Sequence, residues 1–210
     1  MATGLILRTR PLTETSLIVH WLTPGLGRVA TVAKGARRPK SPFHGKLDFA
    51  FACDFSFARS HRSELHILRE VVVRDTHEPL RHEIGWLQQA AYAAALIEQT
   101  TETDTPLPEI HALFARLLDY LPQQPSKPRT VFAFELKLLR ELGLEPNALE
   151  TRLTPETQSL LTALVEKDWP QLGELCPTAA QVRALQQWLH GFLIFHLGKL
   201  PKGRSTALRP

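Results

Sequence analysis

The apolar pattern of this 210-residue chain changes period once, near Pro79, and that switch constrains the fold more than any other feature. Before it, apolar residues alternate as in half-buried strands; after it, they recur every three or four positions as on helix faces. Leu5–Thr9, Ser16–Leu22 and Arg28–Val32 are short β-rich runs, with a turn at Pro24-Gly25-Leu26-Gly27 between the last two. The clearest strand is Leu47–Ala58, with Phe49, Phe51, Cys53, Phe55 and Phe57 on one side and Asp48, Asp54 and Ser56 on the other. Glu64–Arg74 supplies a fifth, with Leu65, Ile67, Val71 and Val73 on one side and Arg69 interrupting. No helical pattern between these runs is long enough to cross over, so they predict a small closed antiparallel barrel of the oligonucleotide-binding (OB) type over residues 1–78. The Phe ladder reads first as barrel interior, with base stacking by exposed rings as the alternative.

Residues 79–210 predict a bundle of about five helices, which makes the chain α+β with the strands first. Arg81–Gln99, Pro108–Leu121 and Thr130–Leu142 carry apolar stripes, the last stopping at Gly143, a C-terminal cap. Thr154-Pro155 opens a fourth helix, and Thr178 caps a fifth that ends at Gly198. The linkers Thr100–Pro108 and Pro122–Pro128 are polar and proline-rich.

Charge is divided along the same line. Residues 1–83 hold 13 basic and 8 acidic side chains, 84–198 hold 8 and 13, and 199–210 hold 4 and none, giving +5, −5 and +4. Within the first part, Arg28, Lys34, Arg37, Arg38, Lys40 and Lys46 occur with no Asp or Glu among them. Gly35, Pro39 and Pro42 forbid a continuous helix there, so these cations sit on an irregular loop. A one-sign cluster repels itself, and a polyanion such as nucleic acid relieves that repulsion. The plain alternative is a solvated loop. The basic end, with Lys199, Lys202, Arg204 and Arg209, reads equally as a frayed tail or as a second phosphate contact.

Several chemistries find no support. Gly25-Leu26-Gly27-Arg28-Val29-Ala30 matches a loose dinucleotide pattern, but Val29, Thr31 and Val32 continue as a strand where a helix must begin. It reads as a hairpin turn. No phosphate-loop motif occurs, and no carboxylate cluster resembles a two-metal site. Cys53 and Cys176 lack the paired spacing of a zinc site, and His61/His66 and His77/His82 are spaced too widely for one strand face. Cys176, before Pro177, reads as inert because no orienting base can be assigned to it. No metal, cofactor or catalytic residue is therefore expected. Two distant cysteines, no signal pattern at the start and no apolar run of membrane length set the expectation of a cytoplasmic protein.

Three segments resemble the RecO family of bacterial recombination mediators. They are Gly4-Leu5-Ile6-Leu7-Arg8-Thr9-Arg10-Pro11-Leu12-Thr13-Glu14-Thr15-Ser16-Leu17, then Gly27-Arg28-Val29-Ala30-Thr31-Val32-Ala33-Lys34-Gly35-Ala36-Arg37-Arg38-Pro39-Lys40-Ser41, then Phe134-Glu135-Leu136-Lys137-Leu138-Leu139-Arg140-Glu141-Leu142-Gly143. A weaker echo runs from His196 to Ser205. The resemblance implies an OB barrel followed by a helical domain. It also implies a non-enzymatic DNA-repair factor that binds single- and double-stranded DNA and anneals complementary strands. Such a factor engages the C-terminal tail of the single-stranded-DNA-binding protein and helps RecR load RecA. Two departures stand out. Many members carry a four-cysteine zinc motif after the segment matching Leu142–Pro146, and here no cysteine follows until Cys176. Some carry arginines just before the Phe-Glu-Leu motif, where this chain has Phe132 and Ala133.

The expected DNA contacts are Lys34, Arg37, Arg38 and Lys40, followed by Arg28, Lys46, Lys199, Lys202 and Arg204. The expected tail site has Leu136 and Leu139 lining a groove, with Arg129, Lys137 and Arg140 beside it; the alternative buries those leucines in the bundle. Two rival functions stand beside this reading, a scaffold whose basic loop docks an acidic protein and an RNA-binding OB module, since phosphate contacts alone do not separate RNA from DNA.

Overall fold

The computed structural model describes every residue except His61 and Pro210, and Glu150 without its side chain. Its residues form two compact units, Met1–His82 with Thr101–Ala115, and Glu83–Thr100 with Arg116–Pro210.

The first unit is built on a closed five-stranded barrel in the order β1-β2-β3-β5-β4. The strands are β1 (Ala2–Pro11), β2 (Leu17–Thr23), β3 (Gly27–Ala33), β4 (Ala52–Ala58) and β5 (Leu65–Asp75). The OB-type barrel expected from the alternation is present. One seam differs from the all-antiparallel expectation: β3 and β5 run parallel, pairing Ala30 with Leu65 and Val32 with Ile67. Parallel pairing follows because the chain must pass through β4 and then return beside β3, closing the cylinder.

The interior is filled by Ile6, Val19, Trp21, Val29, Phe51, Cys53, Phe55, Leu68 and Val71. Trp21 and Phe55 stack at 4.0 Å between ring centres, and the indole N–H of Trp21 donates to Thr31 Oγ1 at 2.8 Å. Burial also pushes the Cys53 thiol up to about 12, ahead of the repulsion from Asp54, so it stays protonated.

Two expectations are corrected inside the barrel. The strand expected from Leu47 begins only at Ala52, because Ala50 takes a left-handed conformation (φ 65°) that breaks the extended run. Phe49 therefore leaves the ladder, while Phe51 and Phe55 enter the core as the interior reading required. In β5, Ser56 faces Glu70 but Phe57 faces Leu68, so Arg69 is an extra, bulged residue. The bulge reverses the parity of the strand. Leu65 and Ile67 thus face outward beside Ala30 and Val32, and Leu68 and Val71 fill the core.

Segment 101–107 lies along the β2–β3 hairpin: Asp104 N–H donates to the Arg28 carbonyl at 3.2 Å and Leu107 N–H to the Pro24 carbonyl at 3.1 Å. The hairpin expected at Pro24–Gly27 is confirmed by the pairing of Thr23 with Gly27.

The second unit is helical: α1 (Ile84–Thr100), the end of α2 (Pro108–Tyr120), α3 (Pro128–Glu141), α4 (Pro155–Glu166), α5 (Trp169–Leu172), α6 (Ala179–Leu197) and α7 (Arg204–Ala207). The longer helices are those the periodicity predicts; the one-turn α5 and α7 carry too few residues to show a period. Every residue of α3 from Thr130 to Leu139 is buried, which makes it the central helix. It ends as expected at Gly143 (φ 71°), whose N–H donates to the Arg140 carbonyl while Leu144 N–H donates to that of Leu139. That pair of bonds satisfies the last carbonyls of the helix. The Thr178 cap on α6 is likewise present, reciprocated by Gln181.

Candidate nucleic-acid interface

Three strands bring the basic loop to the β1–β2 turn. Leu17 pairs with Pro11 on one side and Ala33 on the other. Neighbouring strands lie about 4.8 Å apart, so Pro11 and Ala33 are separated by only about 10 Å. Everything that follows Ala33 begins beside that turn.

The segment Lys34–Lys46 is a run of tight turns. Arg38 N–H donates to the Gly35 carbonyl, Ser41 to Arg38, His44 to Ser41 and Lys46 to Phe43, at 3.0, 3.0, 3.1 and 3.1 Å. Gly35 makes the first turn possible with φ 69°, and its N–H reaches Ser16 Oγ at 3.4 Å. Ala36 and Phe43 anchor the loop by packing into the barrel core. Arg37 ties it to the β1–β2 turn through its backbone N–H to the Thr15 carbonyl (3.0 Å) and its Nη1 to that of Thr13 (3.2 Å). With the apolar side chains turned in, Lys34, Arg37, Arg38 and Lys40 are all exposed. The structure thus groups the four leading candidates on one anchored loop.

It adds two that sequence reasoning missed. Arg8 and Arg10 are exposed on the outer face of β1, in cross-strand rows with His20, Ala30 and Leu65, and with Ile18, Val32 and Ile67. Their signal was the two-residue spacing, which puts both on one side of a strand. Among the residues of the β1–β2 turn only Glu14 is acidic. Six cations against one carboxylate define a positive surface running from strand to loop.

The other candidates are not part of that loop and strand face. Arg28 is half-buried, and its Nη2 donates to the Thr101 carbonyl, so it braces segment 101–107. Lys46 is half-buried at the far end of the loop. In the second unit, Lys199 and Lys202 are exposed, but Arg204 is 7% exposed and forms a two-pronged pair with Glu135, Nε–Oε1 2.6 Å and Nη2–Oε2 2.9 Å. The expectation that Arg204 meets phosphate is overturned, because its fork is already occupied by a carboxylate in the core.

The expected tail groove is also corrected. Leu136 and Leu139 are fully buried in the bundle, and the Lys137 ammonium donates to the carbonyls of Val165 (2.6 Å) and Lys167 (2.8 Å). Burial, then the nearby Arg140, hold that ammonium below its usual range. Arg129 donates to the Leu175 carbonyl and to Gln124 Oε1, both at 3.0 Å, and Arg140 reaches the Val165 carbonyl at 3.4 Å. These cations close helix ends and loops, and among the described residues Leu136 and Leu139 present no exposed surface to a partner's tail.

Among the described residues no group of three or more His, Cys, Asp or Glu could hold a metal. His61 lies outside them; His66 accepts from Ser60 N–H at 3.2 Å and stacks on Phe57, and His77 is bonded to the Ala50 carbonyl at 2.7 Å. Among those residues no helix is long and apolar enough to cross a membrane.

An OB-type barrel bearing a basic loop, followed by a helical unit, is the class this fold and surface define. The chain matches the family described as recombination protein O, N terminal, over residues 1–77, and the corresponding C-terminal family over residues 82–151. It is 34% identical over 188 residues to the DNA repair protein RecO of an Anaeromyxobacter species, covering 87% of this chain and 71% of that one. It is 32% identical over 143 residues to the DNA repair protein RecO of Rhodopirellula baltica, covering 68% of this chain and 53% of that one. The chain belongs to the RecO family. The matched stretch spans about half of the Rhodopirellula protein.

Proposed function

We propose that this chain is a non-enzymatic DNA-repair mediator that binds single- and double-stranded DNA through the first unit. The observation that carries the reading is the positive surface of Lys34, Arg37, Arg38 and Lys40 beside Arg8 and Arg10, presented on an anchored loop and a strand face. Its chemistry is that of phosphate neutralisation: cations displace the counterions of the backbone, whatever the base sequence. Lys46, Lys199 and Lys202 are secondary contacts in this reading. The likeness to relatives called DNA repair protein RecO supports extending it to their pathway. On that extension the chain anneals complementary strands and works with RecR to load RecA on DNA covered by the single-stranded-DNA-binding protein. It engages that protein's C-terminal tail at a place other than the buried Leu136 and Leu139, and it acts in the cytoplasm, at the nucleoid.

The test replaces Lys34, Arg37, Arg38 and Lys40 together by Ala and follows single-stranded DNA binding across a salt series. The slope of log K against log salt is expected to fall by about 0.7 for each single-strand phosphate that is no longer neutralised. An unchanged slope removes the loop from the DNA site, and unchanged discrimination between DNA and RNA of the same sequence leaves the preference to groups outside it.

A further inference from the structure

The last acidic residue in the chain is Glu174; from Pro177 to Pro210 there are five cations and no Asp or Glu. In the second unit, α6 and the segment after it enclose an open groove of about 620 Å³. Arg183, Gln186, Gln187 and His190 form one wall, and Leu200 and Lys202 stand on the other. No carboxylate lines it among the described residues. The wall is preformed: the segment is tied down by Arg204 to Glu135 and by Gln89 Nε2 to the Ala207 carbonyl at 3.1 Å.

The same helix carries a ladder of rings. Trp188 and Phe192 lie 5.2 Å apart, Phe192 and His196 4.3 Å, and Phe195 and His196 5.0 Å. Phe195 is 83% exposed, and Ile194 beside it is 39% exposed. Between the ladder and the groove the helix surface carries the small residues Ala184 and Gly191, both exposed.

We infer that this face of α6 is a second nucleic-acid site, which takes single strands: the groove holds the phosphate backbone and the exposed Phe195, at the end of the ring ladder, stacks an unpaired base. The inference deepens the DNA-binding reading above and rests on it. Charge complementarity selects the occupant. Cations and amide donors with no acid suit a polyanion, and the exposed Phe195 ring, packed edge-on against His196, suits an unstacked base, which a duplex does not offer. An acidic peptide would use the cations and leave Phe195 idle.

The experiment measures fluorescence anisotropy of labelled oligo(dT) with the full chain. Arg183→Gln with Lys202→Gln is expected to lower the salt slope by about 1.4, two single-strand phosphates at about 0.7 each. Phe195→Ala is expected to weaken oligo(dT) binding about five-fold or more without changing the slope, the size of one base–aromatic stack. Duplex binding should be unaffected by Phe195→Ala. All three positions are exposed, so the melting temperature should hold. Wild-type affinity and slope in both variants overturns the site. So does a poly-glutamate peptide whose binding is abolished in the double variant while oligo(dT) binding is kept. The quadruple loop variant separates this inference from the reading it rests on: a loop variant that binds as wild type, with the α6 variants impaired, sinks the barrel reading alone, and the reverse pattern sinks the α6 site alone.

Discussion

Arg204 and Glu135 stand 69 positions apart in the chain and meet through two parallel hydrogen bonds inside the second unit. Tyr92 donates its hydroxyl to the same Oε1 at 2.5 Å, so one carboxylate gathers α1, α3 and α7. A buried carboxylate is costly unless it is paired and hydrogen-bonded, and here both conditions hold.

Glu135→Ala should therefore destabilise the protein by about 3–5 kcal/mol, because it strands the Arg204 guanidinium without a counter-charge. Glu135→Leu with Arg204→Met should recover much of that stability. Urea unfolding of the three proteins checks both; a single variant within 1 kcal/mol of wild type, roughly the value of an exposed pair, would show that the pair is not buried in solution.

Tyr92 reports on the same site through pH. Burial, then the adjacent Glu135 charge, push its phenol well above the usual value near 10. The folded state thus holds this proton more tightly than the unfolded chain does. The stabilisation is full below about pH 10 and declines as pH rises above it. Tyr92→Phe should flatten the fall in melting temperature between about pH 9 and 11. An equally steep fall in both proteins would place the alkaline transition elsewhere.

Arg28 tests the division between bracing and binding. Arg28→Met removes the bond to the Thr101 carbonyl and should cost about 1.5–3 kcal/mol, the range for a hydrogen bond from a charged group. The salt slope for single-stranded DNA should stay at the wild-type value. A lower slope with unchanged stability would return Arg28 to the phosphate contacts.

Gly27 is fixed by backbone geometry. It has φ 64°, and a Cβ there would lie 1.8 Å from the Thr105 carbonyl oxygen. Gly27→Ala should cost at least about 2 kcal/mol, combining left-handed strain with a backbone clash. Its measured unfolding free energy would sit close to wild type only if segment 101–107 left the hairpin.

Much of this protein was legible because local rules and global fold agree. Period-two runs became strands, Thr178 and Gly143 became caps, and Pro24–Gly27 became a hairpin. Legibility failed where one residue changed parity or conformation. Ala50 and Arg69 carry no compositional signal, yet one ends the Phe ladder and the other turns β5 over. The four leading cations of the loop were visible as an acid-free run, whereas Arg8 and Arg10 joined them only through strand pairing.

By itself, then, the sequence determined the kinds of element, their order and the sign of each region's charge, since periodicity, capping and charge are local properties. Tertiary structure decided what each charge does. Arg204 belongs to an acid-free basic stretch as Lys34 and Lys40 do, and Lys137 reads from sequence as a site cation beside a groove, but folding buries them against Glu135 and two helix-end carbonyls. A cation is a phosphate contact or a core tie according to what lies within about 3 Å of it, and residues far apart in the chain set that distance.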